Sequence, residues 1–237
     1  MSPRMKTRPL MGVIPSSARN LLSVLFLLPH LVPAQTSPNA DSELTFSEFR
    51  TLRSGSEARR LADRNFFDLL AAQGREAAAR QSLDRLAGWT KAAESRLAAQ
   101  SVPLLDVEML RFTQAQAEAR VEQWEAERRR ALAEVNRLLG RDPRSPLLAL
   151  PAQTPVGAST GPTDTAALAA DKFAARIARL EQLLPQAQDL LAKIYQNYLF
   201  GGVPLTTLLW QEEQTYQTEL QYRLLLVEAE QSRTAGD

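Results

Sequence analysis

Cysteine is absent from the sequence, and the only histidine, His30, stands in an N-terminal segment that we expect to be removed. Without thiols or imidazoles, a processed chain has no disulfides, no cysteine nucleophile and no Ser-His-Asp group. Nearly every zinc or copper site is excluded as well, because these metals take imidazole or thiolate ligands. The sequence also lacks a glycine-rich phosphate loop, a nucleotide fingerprint and a calcium-loop motif. We therefore expect no enzyme, no metal and no cofactor.

A strong charge of one sign is lacking too. The chain of 237 residues has 28 Lys and Arg against 27 Asp and Glu, a net charge of +1. This balance predicts no nucleic-acid partner. The carboxylates are spread along helical faces, where a solvated role is the usual one, and we find no set that converges on one buried face. The hydrophobic content of 44% suffices for a real core.

Residues 1–34 have the features of a secretory signal. Four basic residues precede the first carboxylate, Asp41, and the apolar run 21–28 is too short to span a bilayer. Val32 and Ala34 provide the small residues of a cleavage site. An uncleaved membrane anchor is the alternative. Cleavage removes those four basic residues and no acidic one, which leaves a net charge of −3 and a chain exported to the periplasm. The basic residues are Arg4, Lys6, Arg8 and Arg19.

Residues 35–140 predict a first helical hairpin. Residues 56–100 contain no proline, are rich in strong helix formers and carry an apolar stripe. A break at 101–106 follows, where Asp106 is a good N-cap for the next helix. That helix carries a seam of coiled-coil spacing and ends near Gly140. The stripe is Leu83, Leu86, Ala93 and Leu97; the seam is Val107, Leu110, Ala117, Val121, Trp124, Ala131, Val135 and Leu138.

A second hairpin is predicted over 164–237, after a linker at 141–163. The linker holds five prolines and two glycines, and we expect few of its hydrophobic residues to be buried. A second seam follows, and the turn lies at 200–207. The seam consists of Leu180, Leu184, Ala187, Leu191, Ile194 and Tyr198.

The two hairpins repeat one another. Val102-Pro103-Leu104 and Val203-Pro204-Leu205 lie 101 residues apart, each between two long helices. Hairpins of this kind are too thin to bury a core alone, so the two must pack together. The sequence therefore predicts an all-α fold of two long, antiparallel, coiled-coil-like hairpins joined by a proline-rich linker.

The signal, the paired hairpins and the turn sequences resemble the outer membrane efflux protein family, the TolC-like channels of tripartite exporters. The resemblance spans about 160 residues and rests on 101–107, 132–140, 184–187 and 198–205. The Gly-Gly-Val-Pro-Leu-Thr-Thr turn favours the heavy-metal-efflux branch. The family's strand pairs have no counterpart here, so we expect a short form that lacks the β-barrel strands and predict no segment that crosses the membrane.

The resemblance implies a trimer whose hairpins wall a periplasmic conduit. It also implies that the turns dock the adaptor (membrane fusion) protein of a pump, in the periplasm or at the outer membrane. The expected contacts are Val102, Pro103, Leu104, Asp106, Gly202, Val203, Pro204 and Leu205. Ordinary turn chemistry is the alternative for these residues.

Two other functions are open on the sequence. One is a periplasmic coiled-coil scaffold without a transport role. The other is the adaptor itself, which is the least favoured because adaptors surround their hairpin with β-rich lipoyl-like domains that this sequence lacks.

Overall fold

The computed structural model describes residues 43–45, 48–49, 56–150 and 164–234, with the backbone alone at 56–59, 164–171 and 234. The predicted signal peptide 1–34 and residues 151–163 of the predicted linker lie outside these ranges. Four long helices make up most of the described chain. They are α1 (Ser56–Ala98), α2 (Leu104–Leu138), α3 (Asp164–Leu199) and α4 (Leu205–Thr234), with short strands β1 (Glu43–Thr45) and β2 (Leu148–Leu150).

The helices form two antiparallel hairpins that pack side by side. The extensive contacts join α1 to α2, α3 to α4, and α1 to α4. Thus α1 and α4 are the inner helices, and α2 and α3 are the outer ones. All members of the three predicted apolar stripes are buried or half-buried, which confirms the predicted all-α hairpin fold.

The core consists of three apolar clusters along the length of the hairpins. At the end that holds the strands, which we call the base, Phe49, Phe66 and Leu69 pack with residues of α2 and β2. At the end that holds both hairpin turns, which we call the tip, residues of all four helices meet. The middle cluster is smaller and is built on Ala78 and Ala79. Its other buried members are Val121 of α2 and Tyr216 of α4.

The first part of the predicted linker is packed into the base cluster, which corrects the expectation of few buried hydrophobic residues. Leu147 and Ala149 are buried, and β2 pairs in parallel with β1. The reason is Asn136, a fully buried residue of α2. Its side-chain amide donates to the carbonyl oxygens of Pro143 (3.3 Å) and Ser145 (2.8 Å). These two hydrogen bonds hold the segment that follows α2 against the end of that helix.

Within the described residues, no helix is both long enough and apolar enough to cross a membrane.

The base cluster predicts unequal effects for two phenylalanines. Phe66 is fully buried, whereas the side chain of Phe112 on α2 is 67% exposed. We expect Phe66→Ala to lower the free energy of unfolding by about 3–5 kcal/mol and Phe112→Ala by less than about 1 kcal/mol. Urea unfolding followed by circular dichroism measures both. Equal losses would contradict the described core.

Candidate functional site

The helices that lead into the two turns end in the same way. Ser101 N–H donates to the carbonyl oxygen of Arg96, and Gly202 N–H donates to that of Asn197, each at 2.8 Å. Such closures need a residue with positive φ. Gly201 supplies it in the second turn (φ 74°), and Gln100 supplies it in the first (φ 55°).

The two turns are tied together by polar contacts at the tip. The Tyr198 hydroxyl, from the end of α3, donates to Asp106 Oδ2 at the start of α2 across 3.0 Å. Arg96 of α1 donates through Nη2 to the carbonyl oxygen of Leu199 (2.8 Å), and its guanidinium lies 5.8 Å from the centre of the Tyr198 ring. These contacts join α1, α2 and α3, so the tip is a single surface.

Asp106 has a different role from the predicted N-cap. The N-cap of α2 is Pro103, which has no side-chain cap, and the helix begins at Leu104. Asp106 therefore lies inside the first turn of α2. Its negative charge interacts favourably with the helix dipole, and its carboxylate accepts a hydrogen bond from the Tyr198 hydroxyl. Burial is the largest cause and this hydrogen bond the second of a rise in the pKa of Tyr198 to about 12. The hydroxyl therefore remains protonated and able to donate.

The expected contact residues are all at the tip, but they are not equally accessible. Leu205 is only 4% exposed and packs in the tip cluster, so it is a core residue and not a surface contact. Leu105 (67% exposed) and Phe200 (86%), which are not among the expected contacts, are the most exposed large apolar side chains of the tip. Of the other expected residues, Pro103, Leu104, Gly202 and Pro204 are exposed, and Val102, Asp106 and Val203 are half-buried.

The different exposure of two equivalent leucines follows from the packing order. Leu104 begins α2, an outer helix, and is 58% exposed, whereas Leu205 begins α4, an inner helix. The repeated Val-Pro-Leu therefore occupies two different environments.

A buried charge cluster lies between the inner helices. The guanidinium of Arg85 on α1 donates to both carboxylates of α4: to Glu212 through Nε and Nη2 (3.2 Å each), and to Glu219 through Nη1 (3.0 Å) and Nη2 (3.3 Å). The Ser82 hydroxyl is 2.5 Å from Glu212 Oε1, and the Gln188 amide of α3 is 3.1 Å from Glu219 Oε1. We call Ser82, Arg85, Gln188, Glu212 and Glu219 the buried charge cluster, in which Ser82 and both carboxylates are buried, Arg85 is half-buried and Gln188 is exposed.

This cluster corrects the expectation that no carboxylates converge on a buried face. Glu212 and Glu219 are seven residues apart, which places them on one face of α4, and their side chains are 4% and 2% exposed. Burial raises the pKa of Glu212 despite the opposing charge of Arg85. The two carboxylates raise the pKa of Arg85 against its own burial, so Arg85 stays charged.

The site combines an exposed apolar surface at the tip with the buried charge cluster between the inner helices. No group of three His, Cys, Asp or Glu that could hold a metal ion occurs in the part of the chain that the structure describes. Comparisons with protein-family models, with curated proteins and with solved structures found no match.

The tip contacts predict a measurable loss for Tyr198→Phe. This change removes the hydroxyl that donates to Asp106 and keeps the ring. A hydrogen bond to a charged group contributes about 1.5–3 kcal/mol, and we expect a loss near the lower value because water can reach the half-buried Asp106. Thermal unfolding measures it. Tyr195→Phe is the matched control, because its ring stacks on Trp89 (5.3 Å) and is retained; equal effects of both variants would contradict the bond's contribution.

Proposed function

We propose that this chain is a helical periplasmic component of a tripartite exporter, similar to the outer membrane efflux protein (TolC-like) family. It would contribute to an export conduit and dock an adaptor protein through the tip. The turn sequence favours the heavy-metal-efflux branch within that family. The proposal assigns no catalytic activity to the chain.

The observation that supports the proposal best is the composition of the tip. Both turns lie at one end, held together by Tyr198, Asp106 and Arg96, and that end exposes Leu105 and Phe200. Exposed apolar groups of this size are unfavourable in water and favourable in an interface. Ordinary turn chemistry favours a glycine at 201, but it does not explain a phenylalanine that is 86% exposed beside it.

A second surface supports self-association. Five apolar residues follow one another at seven-residue steps along the outer side of α2 and form one heptad row, the exposed apolar row of α2. The first two are strongly exposed, the third is exposed, and the last two are half-buried. A helix of another copy packed here would bury them, as a trimeric conduit requires. The residues are Leu105, Phe112, Ala119, Ala126 and Ala133.

A periplasmic scaffold is the alternative function, and the exposed apolar row of α2 favours it equally, because a scaffold can also assemble through coiled-coil contacts. The two functions differ at the tip. A conduit component needs an adaptor there, whereas a scaffold has no such requirement.

The docking proposal predicts site-specific crosslinking. With a photoreactive phenylalanine analogue in place of Phe200, illumination of cells should join the chain to an adaptor protein that mass spectrometry identifies by its hairpin and lipoyl-like domains. The same analogue at Leu61 is the control, since that side chain lies near the opposite end of α1 and is 50% exposed. Capture of an adaptor from both positions, or from neither, would contradict docking through the tip.

Assembly predicts a mass by sedimentation equilibrium near three times that of the single chain. Phe112→Glu should shift the equilibrium toward monomer, because it places a charge within the exposed apolar row of α2. Leu61→Glu, at a similarly exposed position outside this row, should leave the mass unchanged. A wild-type chain that is monomeric at every concentration would contradict the trimeric conduit.

A further inference from the structure

The buried charge cluster contains unequal numbers of positive and negative groups. One guanidinium, that of Arg85, hydrogen-bonds to two carboxylates, Glu212 and Glu219, so the fully ionised cluster has one excess negative charge. Arg223 on α4 acts on Glu219 only at longer range, and its Nη2 donates to Gln81 on α1. Excess charge in a site this poorly hydrated is unfavourable, and uptake of one proton removes it.

The hydrogen-bond partners decide which carboxylate takes that proton. The partners of Glu219 are the guanidinium of Arg85 and, as the cluster is oriented, the amide nitrogen of Gln188, which can only donate. If Glu219 were protonated in this arrangement, its O–H would face hydrogen-bond donors and would have no acceptor among these partners. The Ser82 hydroxyl beside Glu212 Oε1 can either donate to a carboxylate or accept from a carboxylic acid. Glu212 is therefore the position at which a proton is accommodated.

We propose that Glu212 is a buried proton-binding site, and that its ionisation weakens the packing of α1 against α4 as the pH rises. The charged groups that act on it come from both inner helices: Arg85 on α1, which favours its ionised form, and Glu219 on α4, which opposes it. The Ser82 hydroxyl completes its surroundings, and among the described residues α3 contributes the uncharged Gln188 to the cluster. This inference does not depend on the proposed function.

The direction of the pH effect follows from proton linkage. Burial raises the pKa of Glu212 in the folded chain above that of the unfolded chain. Between the unfolded and the folded pKa of Glu212, the folded chain binds more protons than the unfolded chain. The stability of the fold therefore decreases as the pH rises toward and through the folded pKa. Below the pKa of Glu212 in the unfolded chain, Glu212 is protonated in both the folded and the unfolded chain. The folded chain then has its full stability, because no buried carboxylate is ionised.

The test compares wild type with Glu212→Gln, which mimics the protonated side chain in size and charge. The melting temperature (Tm) of each is followed by circular dichroism from pH 5 to pH 8. We expect the difference, Tm of the variant minus Tm of wild type, to increase with pH, by about 3–5 °C for each pH unit by which folding raises the pKa. If Glu212 were a strongly paired carboxylate with a lowered pKa, it would be ionised in both the folded and the unfolded chain over this range, and the difference would stay constant. A decreasing or a constant difference overturns the proposal.

The control is Glu213→Gln, on the next residue of the same helix. The side chain of Glu213 is 47% exposed and pairs with Arg120 of α2 across 3.3 Å, so its difference from wild type should not increase with pH over this range. A direct measurement uses carboxyl ¹³C NMR of glutamate-labelled protein, with Glu212→Gln identifying the signal. A titration of that signal above the ordinary glutamate range supports the proposal, and one at or below that range overturns it.

Discussion

The register of the two hairpins depends on one half-buried cation. Arg85 makes the ion pairs that join α1 to α4 among the described residues, in the stretch between the middle and tip clusters of the core. A buried ion pair adds little net stability, but a misplaced one leaves charges uncompensated, at a cost of several kcal/mol. Only one sliding position of α1 along α4 brings the guanidinium level with both Glu212 and Glu219. The cluster therefore selects the register of the inner helices.

That register has consequences at the tip, because α1 and α4 each lead directly into or out of a turn. When the inner helices are in register, the ends of the hairpins lie level, and Tyr198 reaches Asp106. Leu105 and Phe200, from different hairpins, then belong to one surface. The proposed docking function rests on this surface and not on either turn alone. The buried charge cluster also contains the proposed proton-binding site, Glu212. The cluster that aligns the tip therefore also makes this alignment sensitive to pH.

Much of the fold could be predicted from the sequence, because helix propensity and apolar spacing are local properties. The stripes, the turns and the pairing of hairpins were all accessible in this way. The order of packing was not. Repeat-related Leu104 and Leu205 are indistinguishable in sequence, and only the inner position of α4 buries the second one. The packed chain at 147–150 was missed for a similar reason, since its burial depends on Asn136, a polar residue in another element. Spacing alone could have placed Glu212 and Glu219 on one face, but the sequence does not show that Arg85 lies opposite.

The central claim is that Arg85 holds the two hairpins in one register, and the distance between the turns tests it most directly. The chain has no cysteine, so spin labels can be placed at Ser101 and Phe200 alone, in labelled protein diluted with unlabelled chains. Pulsed electron–electron double resonance should then give one narrow distance distribution for wild type and a broad one for Arg85→Met. A broad distribution in wild type, or an equally narrow one in the variant, would contradict the account.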